Sequence, residues 1–164
     1  MHCGASDKTC WCKALPVLPR SAYGQGAGCY CAACLQDQLD AGVVLYGIDN
    51  CDTVKKARQW FTAQGIDYAF WDYKTYGVPP EKLSHWLAVL GWERVLNTRG
   101  TAWRALPDEV QAAVVDAASA QSVLLLHASA IKRPIVAWGN TYGGAVTIGF
   151  EAALWQQQLK ISGV

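Results

Sequence analysis

The sequence is short of long apolar runs and of charge of one sign. Its apolar runs, such as residues 123–126 before His127, are far too short to cross a bilayer. Its beginning lacks the basic start and apolar centre of a signal peptide. The 14 Lys and Arg residues nearly balance the 13 Asp and Glu residues, which leaves a formal net charge of +1. Because a charge of this size attracts neither nucleic acid nor an anionic membrane, we expect neither as a partner. Since the sequence shows no signal peptide, we expect a cytoplasmic location.

The sequence also lacks nucleotide-binding motifs. It contains no P-loop, no dinucleotide-binding glycine pattern and no internal repeat. Its histidines, His2, His85 and His127, have no mutual spacing that would indicate a site.

The composition is that of a chain that folds around a core: of the 164 residues, 52% are hydrophobic and only 16% are charged. That length suits one domain, with or without a small appendage.

Cysteine is unevenly distributed along the chain. Six of the seven cysteines precede residue 42: Cys3, Cys10, Cys12, Cys29, Cys31 and Cys34. This distribution predicts a cysteine-rich segment, residues 1–42, followed by a separate domain, residues 43–164. A segment of about forty residues rarely buries enough apolar surface to fold without a metal or a disulfide. In a reducing compartment, metal or thiol chemistry is expected before disulfides.

The cysteine spacing in this segment is compatible with a metal site. The C-x-x-C spacing of Cys31 and Cys34 is typical of zinc knuckles, and Cys10 and Cys12 could complete a tetrahedral thiolate site. We therefore expect structural zinc at these four, with a redox or disulfide cluster and metal-free reduced cysteines as alternatives. The pattern resembles the small cysteine-rich CWC family, which usually begins with a further C-x-x-C pair; only Cys3 of that pair is present.

The remaining cysteine, Cys51, lies in the stretch 46–58 around which the domain is organised. Residues 43–46 read as a buried strand, residues 47–50 as a turn, and Thr53 onward as a helix with apolar residues on one face. Cys51 is therefore expected at a helix N-terminus. Free backbone N–H groups and the helix dipole favour a thiolate there, which makes Cys51 a candidate nucleophile. The alternative is a small cysteine that packs under the strand.

The order of the other elements predicts an α/β fold. Residues 66–73 alternate like a strand and complete a β-α-β unit with parallel strands. Helices are expected from Pro80 to Leu90, from Pro107 onward and over residues 118–128. Residues 134–138 and 145–148 form a predicted hairpin around a loop at 139–144, and residues 150–159 a closing helix. The prediction is a mixed sheet with an all-helical insertion.

Three motifs together indicate a family. The stretch 46–58, residues 96–101 (Leu-Asn-Thr-Arg-Gly-Thr) and residues 131–134 (Ile-Lys-Arg-Pro) resemble those of the arsenate reductase (ArsC) and Spx/MgsR-like family, in its single-cysteine branch. The resemblance runs from about Val43 to the C-terminus. It implies a thioredoxin-like fold, which agrees with the element order. It also implies a cis peptide bond between Arg133 and Pro134, facing the loop that carries Cys51.

The resemblance also implies substrate-binding residues. Arg99 and Arg133 match the first and second of the family's anion-binding arginines. Two guanidinium groups near a cysteine stabilise its thiolate and bind an oxyanion, a carboxylate or a sulfenate. Asn50, next to Cys51, and Pro134 complete the expected set. The alternative is that both arginines are ordinary surface residues.

Two departures from the family's patterns restrict the chemistry. The second cysteine of a C-x-x-C dithiol is replaced by Val54, which excludes a disulfide switch within this motif. The third arginine of the arsenate reductases, which follows the hairpin, is replaced by Gly149 or Phe150. Arsenate is therefore less expected as the physiological substrate.

We expect a cytoplasmic thiol oxidoreductase in which Cys51 attacks an oxidised small molecule or protein thiol. Glutathione, or another small thiol, would then resolve the adduct as co-substrate. The alternative is a non-catalytic Spx-like module that binds a protein such as RNA polymerase; the missing dithiol and the modest charge weigh against it. A third hypothesis is that the cysteine-rich segment supplies resolving thiols.

Overall fold

The protein is built around a four-stranded sheet flanked by helices. The computed structural model describes residues 39–40, 42–139 and 144–161. Within these ranges the elements follow in the order β1 (Val43–Gly47), α1 (Asp52–Ala63), β2 (Tyr68–Asp72), α2 (Tyr73–Tyr76), α3 (Pro80–Leu90), α4 (Trp92–Val95), α5 (Thr101–Arg104), α6 (Asp108–Ala112), α7 (Ala117–Leu126), a 3₁₀ turn (Ala128–Ala130), β3 (Ile135–Trp138), β4 (Val146–Ile148) and α8 (Ala152–Ile161).

The sheet is mixed, with the strand order β2-β1-β3-β4. Strand β1 pairs parallel to β2 and antiparallel to β3, and β4 pairs antiparallel to β3. Because Tyr46 near the end of β1 pairs with Ile135 at the start of β3, the loop after β1 lies beside the Arg133–Pro134 step. The predicted mixed sheet with a helical insertion is confirmed.

Side chains of β1 alternate between two hydrophobic cores. Val44 and Tyr46 belong to the core under the helical insertion, and Val43 and Leu45 belong to the core on the opposite face. The second core is closed by α1 and α8, whose buried Phe61 and Trp155 rings lie 5.0 Å apart between centroids. Because both faces of β1 are covered, the strand reads as a continuous apolar run rather than as an alternating one.

Helix α1 begins at Asp52, one residue before the predicted start. Val54, Ala57 and Phe61 recur at helical spacing and form its buried face. The chain turns back after the helix at Gly65, whose φ of +67° lies in the left-handed region that glycine adopts readily. The buried face fixes the helix against the sheet, and Cys51 lies at the N-terminal end of this helix.

The insertion between β2 and β3 is helical, as predicted, but two of its shortest helices, α2 and α5, were not predicted from the sequence. Each contains four residues, about one turn, which is too short to show a hydrophobic period. The predicted strand 66–73 ends at Asp72, whose carboxylate accepts a hydrogen bond from the Lys74 N–H at 3.0 Å and caps α2. Because Asp72 caps α2, the strand ends one residue before its predicted end at residue 73.

Several predictions fall outside the described residues. They include the cysteine-rich segment as far as residue 38, the proposed zinc ligands Cys10, Cys12, Cys31 and Cys34, and residues 140–143 of the hairpin loop. Across the part of the chain that is described, no three or more His, Cys, Asp or Glu side chains are grouped so as to hold a metal ion. No helix in the same residues is long and apolar enough to span a bilayer.

Candidate active site

Cys51 is the N-cap residue of α1. Its backbone is extended, with φ −138° and ψ 122°, and its carbonyl accepts the first helical hydrogen bond from the Lys55 N–H at 2.9 Å. Its own N–H donates to the Asp49 carbonyl at 3.0 Å, which closes a tight turn after β1. The side chain is half-buried, so the thiol is held by the backbone but remains accessible.

The loop that carries Cys51 is tied to the sheet by Arg58. The guanidinium of Arg58 forms a salt bridge with Asp49 and donates a hydrogen bond to the Tyr68 hydroxyl at 3.2 Å. It also lies over the Phe70 ring, 4.9 Å from the ring centroid. Because these contacts join α1 to the strand β2, they limit how far Asp49 and its neighbour Cys51 can move.

Arg133 precedes a cis peptide bond to Pro134, as the resemblance implied. Its Nη1 donates to the Ser129 carbonyl at 2.6 Å and to the Ile131 carbonyl at 3.3 Å. Pro134 is buried at the start of β3. Two backbone carbonyls thus hold one end of the guanidinium in place.

The surroundings of Cys51 favour the thiolate. Partial burial, the largest single influence, raises the pKa of Cys51. Hydrogen bonding by the Val54 amide, the Arg133 side chain and the Thr53 amide, together with the charge of Arg133, outweighs burial and holds the pKa below its ordinary value. The thiol makes no capping hydrogen bond to the helix. The thiolate, which is the stronger acceptor, is the form that these groups stabilise.

Cys51 opens into a cleft of about 450 Å³, here called the Cys51 cleft. It is lined by residues from the start of α1, the Arg133 segment and the end of the hairpin: Cys51, Thr53, Asn97, Lys132, Arg133, Ile148, Gly149, Phe150 and Glu151. A cleft of this size can take a small ligand or part of a peptide.

A second cleft of about 500 Å³ lies beside the first, and Asn97 and Arg133 line both. The remaining residues of this second cleft come from the loop after β1, α2, the insertion and the 3₁₀ turn: Ile48, Asn50, Lys74, Gly100, Thr101, Ala102, Ala105 and Ser129. Arg133 and Asn97 therefore separate the thiol from a neighbouring polar site.

Two of the three sequence motifs meet through backbone contacts. Leu96 and Ile131 form an isolated antiparallel bridge, and the Asn97 N–H donates to the Ala130 carbonyl at 2.8 Å. On the other side the Lys132 N–H donates to the Val95 carbonyl, also at 2.8 Å. This pairing fixes Asn97 and Arg133 on adjacent segments at the mouth of the site.

The structure brings some of the predicted site residues together and leaves one outside. Cys51 and Arg133 line the same cleft, and Asn50 lines the second one with Arg133. Arg99 is exposed in the turn after Asn97 and lines neither cleft; its carbonyl accepts a hydrogen bond from the Arg104 guanidinium. Gly149 and Phe150, the positions of the missing third arginine, both line the Cys51 cleft.

Four polar residues that line the Cys51 cleft were not predicted as site residues from the sequence: Thr53, Asn97, Lys132 and Glu151. Thr53 was read only as the start of the helix. Asn97 and Lys132 were inside the quoted motifs, where only their arginine neighbours were given a role. Glu151 gave no signal, because it belongs to no motif and is 100 residues from Cys51 along the chain.

Both the sequence and the structure of this chain are similar to those of known proteins. The model of the ArsC family matches residues 46–158. An uncharacterised protein from Haemophilus influenzae is 36% identical over 114 residues, which cover 70% of this chain and 96% of that protein. The solved structure of a protein named YffB (PA3664) is 40% identical, covers 71% of this chain and 98% of its own, and superposes with a TM-score of 0.66. The solution structure of an arsenate reductase (ArsC) related protein from Brucella melitensis is 43% identical, covers 71% and 92% of the two chains, and gives a TM-score of 0.55.

Proposed function

The chain belongs to the ArsC family, the arsenate reductase-like proteins of thioredoxin fold, and we propose that it is a glutathione-dependent thiol oxidoreductase with Cys51 as its single nucleophile. Membership of the family supports the general activity. The dependence on glutathione and the use of one cysteine are our proposal. We expect the protein to act in the cytoplasm, where glutathione keeps thiols reduced.

One observation carries the proposal: the Cys51 thiol lies at the N-cap of α1, beside Arg133, in an open cleft. Thiolate, not thiol, attacks sulfur, and a pKa lowered toward ambient pH raises the fraction of nucleophile. A cysteine with only a packing role needs neither access to a cleft nor a guanidinium beside it.

The proposed reaction reduces a mixed disulfide, R–S–S–G, between a substrate thiol and glutathione. The Cys51 thiolate attacks the glutathione sulfur, the S–S bond breaks, and the substrate leaves as R–S⁻ and takes a proton from solvent. A second glutathione thiolate then attacks the glutathione sulfur of the Cys51 adduct. Glutathione disulfide leaves and the Cys51 thiolate is restored. In the sum of the two steps, one glutathione thiol is oxidised for each substrate sulfur that is reduced, because the glutathione sulfur of the mixed disulfide is already oxidised.

External glutathione fits this site because no second cysteine follows Cys51. Residue 54, where a C-x-x-C motif has its second thiol, is Val54, and Cys51 is the only cysteine in residues 43–164. Val54 is fully buried, so it does not face the cleft. The adduct on Cys51 must therefore be resolved by a thiol from outside this domain.

The other residues have distinct proposed roles. Arg133 stabilises the Cys51 thiolate and the thiolate that leaves. Asn97, which lines both clefts, and Asn50 in the second cleft bind the peptide part of the ligand. Arg99 contacts only a ligand that extends over the turn after Asn97, because it lines neither cleft. Pro134 shapes the edge of the site through the backbone.

The test is a coupled assay on the full-length protein. The mixed disulfide of cysteine and glutathione is the substrate, and glutathione disulfide is followed with glutathione reductase and NADPH. We expect turnover by the wild type, its loss in Cys51→Ser, and unchanged turnover in Cys3→Ser, which removes a cysteine outside the proposed zinc set. Turnover by Cys51→Ser at the wild-type rate, or no turnover by the wild type, would overturn the proposal. Arsenate in place of the mixed disulfide tests the narrower activity in the same assay.

A further inference from the structure

The Cys51 cleft carries side chains of both charges. Lys132 and Arg133 contribute cations on one side, and Glu151 contributes a carboxylate. Arg133 is engaged by carbonyls, but the side chains of Lys132 and Glu151 make no hydrogen bond or salt bridge with any other residue that the structure describes. Both are exposed. Two opposite charges are thus available to a ligand in the cleft that holds the thiol.

The backbone fixes where these two charges lie. Gly149 donates its N–H to the Pro134 carbonyl at 2.8 Å, which holds the end of β4 against the Arg133 segment. Lys132 extends along this junction, since its Cε lies 3.9 Å from where a Cβ on Gly149 would be. An ammonium group therefore lies near the position where the family's third arginine is missing.

Glu151 is placed by the start of α8. Its carbonyl accepts a hydrogen bond from the Trp155 N–H at 3.1 Å, and Trp155 is buried in the core between α1 and α8. This anchor keeps Glu151 at the rim of the cleft. A small polyanion in the cleft would meet this carboxylate, and like charges repel at short range. A ligand that carries an ammonium group beside a carboxylate avoids that cost.

We propose that Lys132 and Glu151 form a subsite for the α-amino acid head group of the thiol co-substrate, with Lys132 pairing with its carboxylate and Glu151 with its ammonium group. This inference rests on the proposed function, because it assigns the γ-glutamyl end of glutathione to the Cys51 cleft. Lys132 and Glu151 are then specificity-determining residues. They select a peptide thiol with a free amino acid head over a simple anion.

The experiment compares three S-methylated ligands by calorimetric binding to the full-length protein. The first is S-methylglutathione, the second carries glutaryl in place of γ-glutamyl and lacks the ammonium group, and the third carries γ-aminobutyryl and lacks the α-carboxylate. We expect Glu151→Gln to weaken binding of the first about twofold to fivefold, as expected for loss of one exposed ion pair, and to leave binding of the second unchanged. Lys132→Gln should weaken the first by a similar factor and leave the third unchanged.

The control variant is Glu109→Gln, an exposed glutamate of α6 that lines neither cleft. It should alter none of the three affinities, and in this control variant Cys51 should be alkylated at the wild-type rate. Equal effects of Glu151→Gln on S-methylglutathione and on the glutaryl ligand would overturn the subsite, while turnover by the wild type would leave the proposed function standing. No binding of S-methylglutathione together with no turnover would overturn both.

Discussion

Val54 packs directly against the backbone of Gly47. A Cβ built on Gly47 would come within 2.8 Å of Cγ2 of Val54 and 3.6 Å of its Cγ1. Gly47 is the last residue of β1, and Val54 lies in the first turn of α1. The missing side chain lets the helix approach the strand closely, which places the N-cap, Cys51, at the end of the sheet.

The first prediction tests this contact. Gly47→Ala should lower the free energy of unfolding by about 1–3 kcal/mol, because the added methyl group overpacks a fully buried position. Val54→Ala should cost about 1–3 kcal/mol for the opposite reason, since it removes buried methyl groups. In the double variant the small side chain at 54 makes room for the methyl group at 47, so the combined cost should be less than the sum. Urea denaturation measures all three, and strictly additive costs would show that the two sites do not contact each other.

Local features of this region could be read from the sequence. The strand, the turn and the amphipathic helix around Cys51 are contiguous, so hydrophobic periodicity and turn residues were enough to place the thiol at a helix N-terminus. The start of the helix was wrong by one residue, because Cys51 rather than Asp52 is the cap. The position of the Arg133–Pro134 step beside the loop that carries Cys51 followed from the resemblance.

The remainder of the site depends on contacts between distant segments. Glu151 reaches the Cys51 cleft only because the helix α8 is anchored by Trp155, and no local pattern encodes that juxtaposition. Arg99 shows the converse. Its motif predicted a place near the cysteine, yet the turn after Asn97 leaves its side chain exposed and off both clefts. Motif position specified the segment, and the tertiary fold determined which side chain faces inward.

The second prediction separates the two arginines. Arg133→Ala should raise the pH midpoint for alkylation of Cys51 by iodoacetamide, because both the hydrogen bond and the charge of Arg133 lower the pKa of the thiol. Arg99→Ala is the matched control and should leave the midpoint unchanged, since Arg99 does not line the Cys51 cleft. A rise of equal size in both variants would show that the arginines act through general charge and not through position.

The measurement can be made specific for Cys51 in the full-length chain. Chymotrypsin cleaves after aromatic residues, and the sequence between Tyr46 and Trp60 yields a peptide, residues 47–60, with Cys51 as its only cysteine. The alkylated fraction of this peptide, followed by mass spectrometry, excludes any signal from the six cysteines of the first 42 residues.

The third prediction concerns stability against pH. The pKa of Cys51 is lowered in the folded state, so the folded state binds the thiol proton less tightly than the unfolded state does. The resulting stabilisation is fully present above the unfolded thiol pKa and is lost as the pH falls through the folded pKa. The difference in unfolding free energy between the wild type and Cys51→Ser should therefore grow in favour of the wild type as the pH rises through this window. A pH-independent difference, measured by urea titration under reducing conditions, would contradict a thiolate at this site.

The last prediction concerns the wall shared by the two clefts. A Cβ on Gly100 would lie 2.6 Å from Nδ2 and 3.1 Å from Cγ of Asn97, so Gly100→Ala must displace the Asn97 amide. The φ of Gly100 is −73°, which alanine adopts without strain, so the cost comes from contacts with Asn97, whose backbone carbonyl oxygen would also lie 3.2 Å from the Cβ. If Asn97 binds the ligand, Gly100→Ala and Asn97→Ala should each raise the KM for glutathione about threefold to tenfold, the value of one hydrogen bond. The double variant should have a KM no higher than that of Asn97→Ala alone, because the displaced amide is already gone.

The control variant is Gly65→Ala. The φ of +67° at Gly65 makes alanine costly for stability. Because no atom lies within 4 Å of the new methyl group and Gly65 lines neither cleft, this variant should leave the KM unchanged. A KM that rises equally in Gly65→Ala would attribute the effect to lost stability and remove Asn97 from the binding site.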